Sequence, residues 1–174
     1  GGSGSLVSSG GDVTIGGTGT IDLSGNIDSN SIHSASVATL TIGADITISG
    51  CGIVGSSNAA IALLKQGPIN ADTTGRILNL QNFTNAGTIN VLTNGTLDLE
   101  STYTVADIGT LINDGTGTIN LHGTLDNTGT TFTPTVVTRD INLDGATILN
   151  GTITTAGGAQ LLLTSNSVLD GVTL

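Results

Sequence analysis

Two aliphatic residues flank a single Asn or Asp again and again along this chain. Gly95-Thr96-Leu97-Asp98-Leu99 returns as Gly117-Thr118-Ile119-Asn120-Leu121, and the triplet returns once more, at the same step, in Arg139-Asp140-Ile141-Asn142-Leu143. Related triplets are Ile21-Asp22-Leu23, Leu78-Asn79-Leu80 and Ile89-Asn90-Val91. In extended backbone, successive side chains point to opposite faces, so each triplet sends its aliphatic pair one way and its polar residue the other. A unit this short cannot bury its own apolar face, and neighbouring copies must stack to do so. The pattern predicts parallel β-strands laid one above the next.

Ile21, Ile46, Ile69, Ile89, Ile119, Ile141 and Leu162 can be followed as a single column, in which the longest step, from Ile89 to Ile119, reads as an insertion. The expected fold is all-β: a right-handed parallel β-helix, or β-solenoid, of about 20–26 residues per rung. Seven or eight rungs at roughly 4.8 Å each make a rod about 35 Å long. A left-handed hexapeptide solenoid is the alternative, since Ile15, Ile21 and Ile27 are evenly spaced at a hexapeptide step, but that step does not persist through residues 75–174.

Asn94-Gly95, Asp114-Gly115, Asp144-Gly145, Asn150-Gly151 and Asp170-Gly171 mark turns between strands. Pro68 and Pro134 are expected at rung corners, where no ladder donor is lost. Asn58 to Lys65 reads as a buried strand, with a short helical turn as runner-up. The Thr-rich stretch Thr128–Thr138 reads as a loop between rungs.

Composition sharpens this picture. Aromatic residues make up only 2 % of the chain, as Phe83, Tyr103 and Phe132. A globular core usually relies on such rings, whereas a narrow solenoid core is filled by Ile, Leu and Val. Gly (27 residues) and Asn suit tight turns, and Thr suits strands. Mean hydropathy is positive at +0.30, and the ordered apolar pattern argues against disorder.

The net charge is −10, with Lys65, Arg76 and Arg139 the only Lys and Arg. That excludes a phosphate-binding surface for nucleic acid and disfavours anionic membrane. No apolar run approaches the length needed to cross a bilayer. A single cysteine, Cys51, rules out an intramolecular disulfide; in Ser49-Gly50-Cys51-Gly52-Ile53 it reads as a small core filler at a strand end or turn.

Candidate chemistry is sparse. The two histidines, His33 and His122, lie in no catalytic motif, and His122, just after Leu121, reads as a solvent-facing or turn residue. Asp98 and Glu100 near Tyr103 come closest to a paired-carboxylate site, with Asp98 read on the face opposite Glu100. Gly16-Gly17-Thr18-Gly19-Thr20-Ile21-Asp22 approaches a calcium-roll repeat, but its Asp is one place late and turns to the opposite face. No Cys/His spacing suggests zinc. Thr-x-Thr pairs at 18/20, 39/41, 102/104, 116/118, 133/135 and 152/154 would bind ice only if they shared one register, and their uneven spacing breaks it. No catalytic, cofactor-binding or metal-binding residue is assigned, and the chain is not expected to be an enzyme.

Phe83-Thr84-Asn85-Ala86-Gly87-Thr88-Ile89-Asn90-Val91 and Asn94-Gly95-Thr96-Leu97-Asp98-Leu99 resemble the rungs of bacterial filamentous-haemagglutinin-like and autotransporter-passenger β-helices. Ser49-Gly50-Cys51-Gly52-Ile53-Val54-Gly55 and Gln66-Gly67-Pro68-Ile69-Asn70-Ala71-Asp72 are similar to a repeat unit of very large bacterial surface proteins, with Cys51 in place of the usual Ala and Pro68 in place of the usual Thr. The resemblance covers most of residues 15–174 and carries over no catalytic residue. It implies a secreted stalk, adhesin or fibre.

Residues 1–174 are thus read as a single β-solenoid segment, with 1–5 as linker or turn. The absence of Met, and the return of Leu143-Asp144-Gly145-Ala146-Thr147-Ile148 as Leu169-Asp170-Gly171-Val172-Thr173-Leu174, lead us to expect a segment of a longer repeat protein. The expected role is structural or adhesive, at the cell surface or outside it. Its partners would be neighbouring repeats or identical chains stacked end to end, and host or surface glycans. A polysaccharide-binding or polysaccharide-degrading β-helix of lyase or tailspike type is the alternative, and an ice-binding solenoid the third.

Overall fold

The computed structural model describes residues 4–24 and 29–174. Ile27 of the hexapeptide series, and Gly1 to Ser3 of the linker or turn, lie outside the described residues. The chain winds into a parallel β-solenoid of about seven turns. Every strand pair described is parallel.

The first strand of each coil builds one unbroken sheet of eight strands: Ser5–Ser8, Ser31–Ser34, Gly52–Gly55, Ile77–Gln81, Thr96–Glu100, Thr118–Leu121, Ile141–Leu143 and Leu161–Leu163. The second strands form two four-stranded sheets. One runs from Val13–Ile15 to Phe83–Asn85, the other from Thr102–Thr104 to Val168–Asp170. The third strands form a five-stranded sheet, Gly19–Leu23 to Thr110–Asn113, and a two-stranded one, Thr131–Phe132 with Thr152–Ile153.

The register of the first sheet fixes one inward column: Leu6, Ile32, Val54, Leu80, Leu99, Leu121, Leu143, Leu163. Its step varies, being longest from Leu6 to Ile32 and from Val54 to Leu80, and shortest from Leu80 to Leu99. The column inferred from sequence mixed two faces. Ile89 belongs to the five-stranded sheet, where its next partner is Leu111, whereas Ile119 belongs to the eight-stranded one. No insertion separates them. Ile21 likewise pairs Ile48 rather than Ile46, and Ile141 pairs Leu161 rather than Leu162. The aliphatic triplets of different faces look alike, so sequence spacing alone joined them.

The core is mainly aliphatic, with the rings of Phe83 and Tyr103 on successive coils tilted at 32° and 6.0 Å apart between centroids. Cys51 is fully buried at the corner between Ile46–Gly50 and Gly52–Gly55, as its flanking glycines predict. Pro68 stands at a corner just before Ile69–Ala71. Pro134 follows Thr131–Phe132, and its carbonyl accepts from the Ala156 N–H at 2.9 Å.

The Asn58–Lys65 stretch divides. Asn58 to Ile61 forms a turn, in which the Asn58 carbonyl accepts the Ile61 N–H, and Ala62–Lys65 is a strand. That strand alternates rather than being wholly buried: Leu63 and Lys65 point inward. The Thr128–Thr138 stretch is more than a loop, since Thr131–Phe132 joins a ladder and Phe132 enters the core.

One short helix, Val105–Ile108, interrupts the second face where one four-stranded sheet gives way to the next. Thr104 caps it by accepting the Asp107 N–H, while the Asp107 carboxylate accepts the Thr104 N–H at 2.9 Å. This reciprocal cap makes so brief a helix possible.

Candidate functional site

Asparagine is used in two ways. Some sit outside, as the triplet pattern predicts. Others are buried at the corners, where they tie turns together: Asn30, Asn85, Asn113 and Asn127. Asn113 Oδ1 accepts the N–H groups of Gly115 and Gly117, and its Nδ2 donates to the Gly117 carbonyl at 2.9 Å. Asn85 Nδ2 reaches the Ile108 carbonyl of the next coil at 2.9 Å. A buried amide must be hydrogen-bonded, and a turn offers the unpaired backbone groups it needs. The apolar/polar alternation could not reveal these residues.

The acidic residues are mostly occupied in the same way. Asp114 and Asp126 lock their turns by accepting from Thr116 and Thr128, which holds both carboxyls below the ordinary range. Asp72 bridges coils by accepting from the Ser49 hydroxyl and the Gly50 N–H. Asp22 faces solvent while Ile21 packs against the core, as its misplaced position in the glycine-rich stretch predicts. Among the described residues, no three His, Cys, Asp or Glu side chains are grouped to hold a metal ion.

Among the described residues, Lys65 is a charged group that lies wholly inside. It stacks between Ile42 and Asn85 in the ladder and donates from Nζ to the Ile46 carbonyl at 2.6 Å. Burial pushes its ammonium from 10.5 down to about 8. The folded chain therefore sheds this proton over a range in which the unfolded chain keeps it. The contribution of Lys65 to stability rises with pH from about 8 towards 10. Thermal melts over that window should show the rise as a difference between wild type and Lys65→Met, in which the titration of other groups cancels.

A polar cluster lies on the outer face of the eight-stranded sheet. Asn79, Asp98, Asn120 and Asn142 form one column in register. Beside it run Gln81, Glu100, His122 and Asp144. Asp98 and Glu100 share this face, contrary to the sequence reading, because residues two apart along a strand point the same way. Tyr103 does not join them; it is buried, with its hydroxyl unpartnered.

Asp98 is the unusual member, with a side chain only 8 % exposed on an outward-facing position. Its Oδ1 accepts from Asn120 Nδ2 at 2.8 Å, and its Oδ2 lies 3.3 Å from His122 Nε2. His122 Nε2 also lies 3.6 Å from Asp144 Oδ2, so the imidazole spans two carboxylates of different coils. Burial raises the Asp98 carboxyl above the ordinary range, opposed by Asn120 and His122. Glu100 is engaged by Gln81 Nε2 at 2.5 Å. His33, on an outer position of Ser31–Ser34, is not part of this cluster.

Chemically, this face presents an amide–carboxylate ladder with one shielded acid. The fold defines a parallel β-solenoid whose polar side chains serve chiefly to lock turns and join coils. Comparison with protein-family models, curated proteins and solved structures finds no match.

Proposed function

We propose that this chain is a stiff structural or adhesive segment of an extracellular bacterial surface or fibre-forming protein, of the filamentous-haemagglutinin-like or autotransporter-passenger kind. The observation that carries the reading is the aliphatic column from Leu6 to Leu163, which runs through all eight strands of the first sheet. Parallel ladders around a dry core resist bending, and seven steps of roughly 4.8 Å give a rod about 35 Å long. Asp72, Asp98, Asp114 and Asp126 are committed to turns and to neighbouring coils, which speaks against their serving as the acids of a polysaccharide-cleaving site. The Thr pairs fall on different sheets, for example Thr39/Thr41 on the second face and Thr118 on the first, which speaks against a flat ice-binding array.

Leu163, Leu169 and Leu174 at one end of the stack are 71 %, 43 % and 83 % exposed, and Leu6 at the other is 43 % exposed. In this reading neighbouring repeats or identical chains cover them. Glycan-array binding without release of reducing ends, together with rods under the electron microscope, would support a stalk or adhesin. Catalytic turnover of a bound polysaccharide would refute it.

A further inference from the structure

Three asparagine bonds between coils on the outer faces share one polarity. Asn142 Nδ2 donates to Asn120 Oδ1, Asn120 Nδ2 to Asp98 Oδ1, and, on another sheet, Asn90 Nδ2 to Asn70 Oδ1, each at 2.8 Å. In these three bonds the later coil donates to the earlier one, whereas in the neighbouring column Gln81 donates to the later Glu100, which can only accept. Asp98 is in register with Asn79, one coil earlier, so the same rule makes Asp98 the donor and Asn79 Oδ1 the acceptor. An ionised carboxylate has no proton to give. Asn79 Oδ1 is buried and has no hydrogen-bond partner. Leaving such an oxygen unpaired is costly. The ladder is therefore broken at one residue, and the break is one proton wide.

We propose that Asp98 is a proton-operated link between coils: ionised, it is held by Asn120 and His122 and leaves Asn79 Oδ1 orphaned; protonated, it donates to Asn79 Oδ1 and completes a ladder of four coils. The proton adds to Asp98 Oδ2, the oxygen that Asn120 does not hold, and no covalent bond other than this O–H changes. The charged or titratable groups around it are His122 after Thr118–Leu121, Glu100 on its own strand and Asp144 after Ile141–Leu143. On Ile77–Gln81 the facing side chains are the neutral Asn79 and Gln81. Burial favours the neutral acid, as the direction of its shift requires. A group whose folded value lies above the unfolded 3.8 contributes stability that is complete below 3.8 and is lost as pH rises through the folded value. The rod is thus more firmly joined at Asp98 in acid than at neutral pH.

Asp98→Asn supplies an N–H donor permanently, and in the completed ladder its Nδ2 donates to Asn79 Oδ1. Thermal melts of wild type and Asp98→Asn are compared from pH 7 to pH 3.5, and the difference between them cancels the titration of the carboxylates remote from Asp98, while Asn79→Leu separates the link from the coupling to Glu100, His122 and Asp144. The variant should melt about 2–4 °C above wild type at pH 7, with the gap closing as the pH falls. Asn79→Leu, which removes the acceptor, should at least halve the pH dependence of the gap. A constant gap, or a folded Asp98→Asn that melts below wild type at pH 7, overturns the proposal. Should Asp98→Asn not fold, the carboxyl-carbon NMR titration of Asp98 in the wild type decides. Titration above 3.8 that moves back towards 3.8 in Asn79→Leu upholds the link, and titration at or below 3.8 in the wild type overturns it.

Discussion

Leu99→Ala is expected to lower stability by about 2–5 kcal/mol. Leu99 is fully buried between Leu80 of the preceding coil and Leu121 of the next. Truncation removes the apolar area and leaves a cavity that the surroundings cannot close. In a compact domain neighbouring elements shift to fill such a hole. Here each coil is hydrogen-bonded to the ones above and below, which fixes the spacing along the stack. Leu163 occupies the same column but is 71 % exposed. Leu163→Ala should therefore change stability by no more than about 0.5 kcal/mol. Denaturant midpoints of the two variants test the pair together. Equal effects would mean that burial does not grade along this column.

Gly55→Ala is expected to cost about 2–6 kcal/mol, combining backbone strain with overpacking. Gly55 ends its strand at φ +99°, a region that L-residues rarely enter. A Cβ added there would overlap the Gln81 carbonyl oxygen of the next coil. Backbone lies on the far side of the clash, so no side-chain rotation relieves it. Gly129→Ala is the control: φ is +70° but nothing lies within 4 Å of the new methyl. It should carry the conformational strain alone, about 1–3 kcal/mol. Urea denaturation separates these outcomes. A Gly55→Ala variant as stable as Gly129→Ala would show that the coils are not in contact at this corner.

The architecture was legible because Leu99, Leu121 and Leu143 follow one another at a constant step, and alternation within each triplet tells inside from outside. Coil length was harder to follow. Turns of different length lie between strands that stay in register, so matching triplets across turns confused the first and third faces at Ile89 and Ile119. The helix at Val105–Ile108 escaped notice because it is a single turn and depends on a local cap, not on periodicity. Lys65 inside the core broke the rule that charge lies outside, and only its carbonyl partners explain it.

The Asp98 cluster was the least visible part. Asp98, His122 and Asp144 belong to three successive coils, and their meeting depends on how each turn places the next coil. Sequence alternation put His122 outside, which is correct, but could not show that it lies between two carboxylates.

Backbone NMR cross-peaks between coils test the central claim most directly. In-register parallel pairing predicts contacts joining Asn79 to Asp98, Asp98 to Asn120 and Asn120 to Asn142. Close Hα–Hα cross-peaks between sequence-adjacent strands, the mark of antiparallel hairpins, would contradict it.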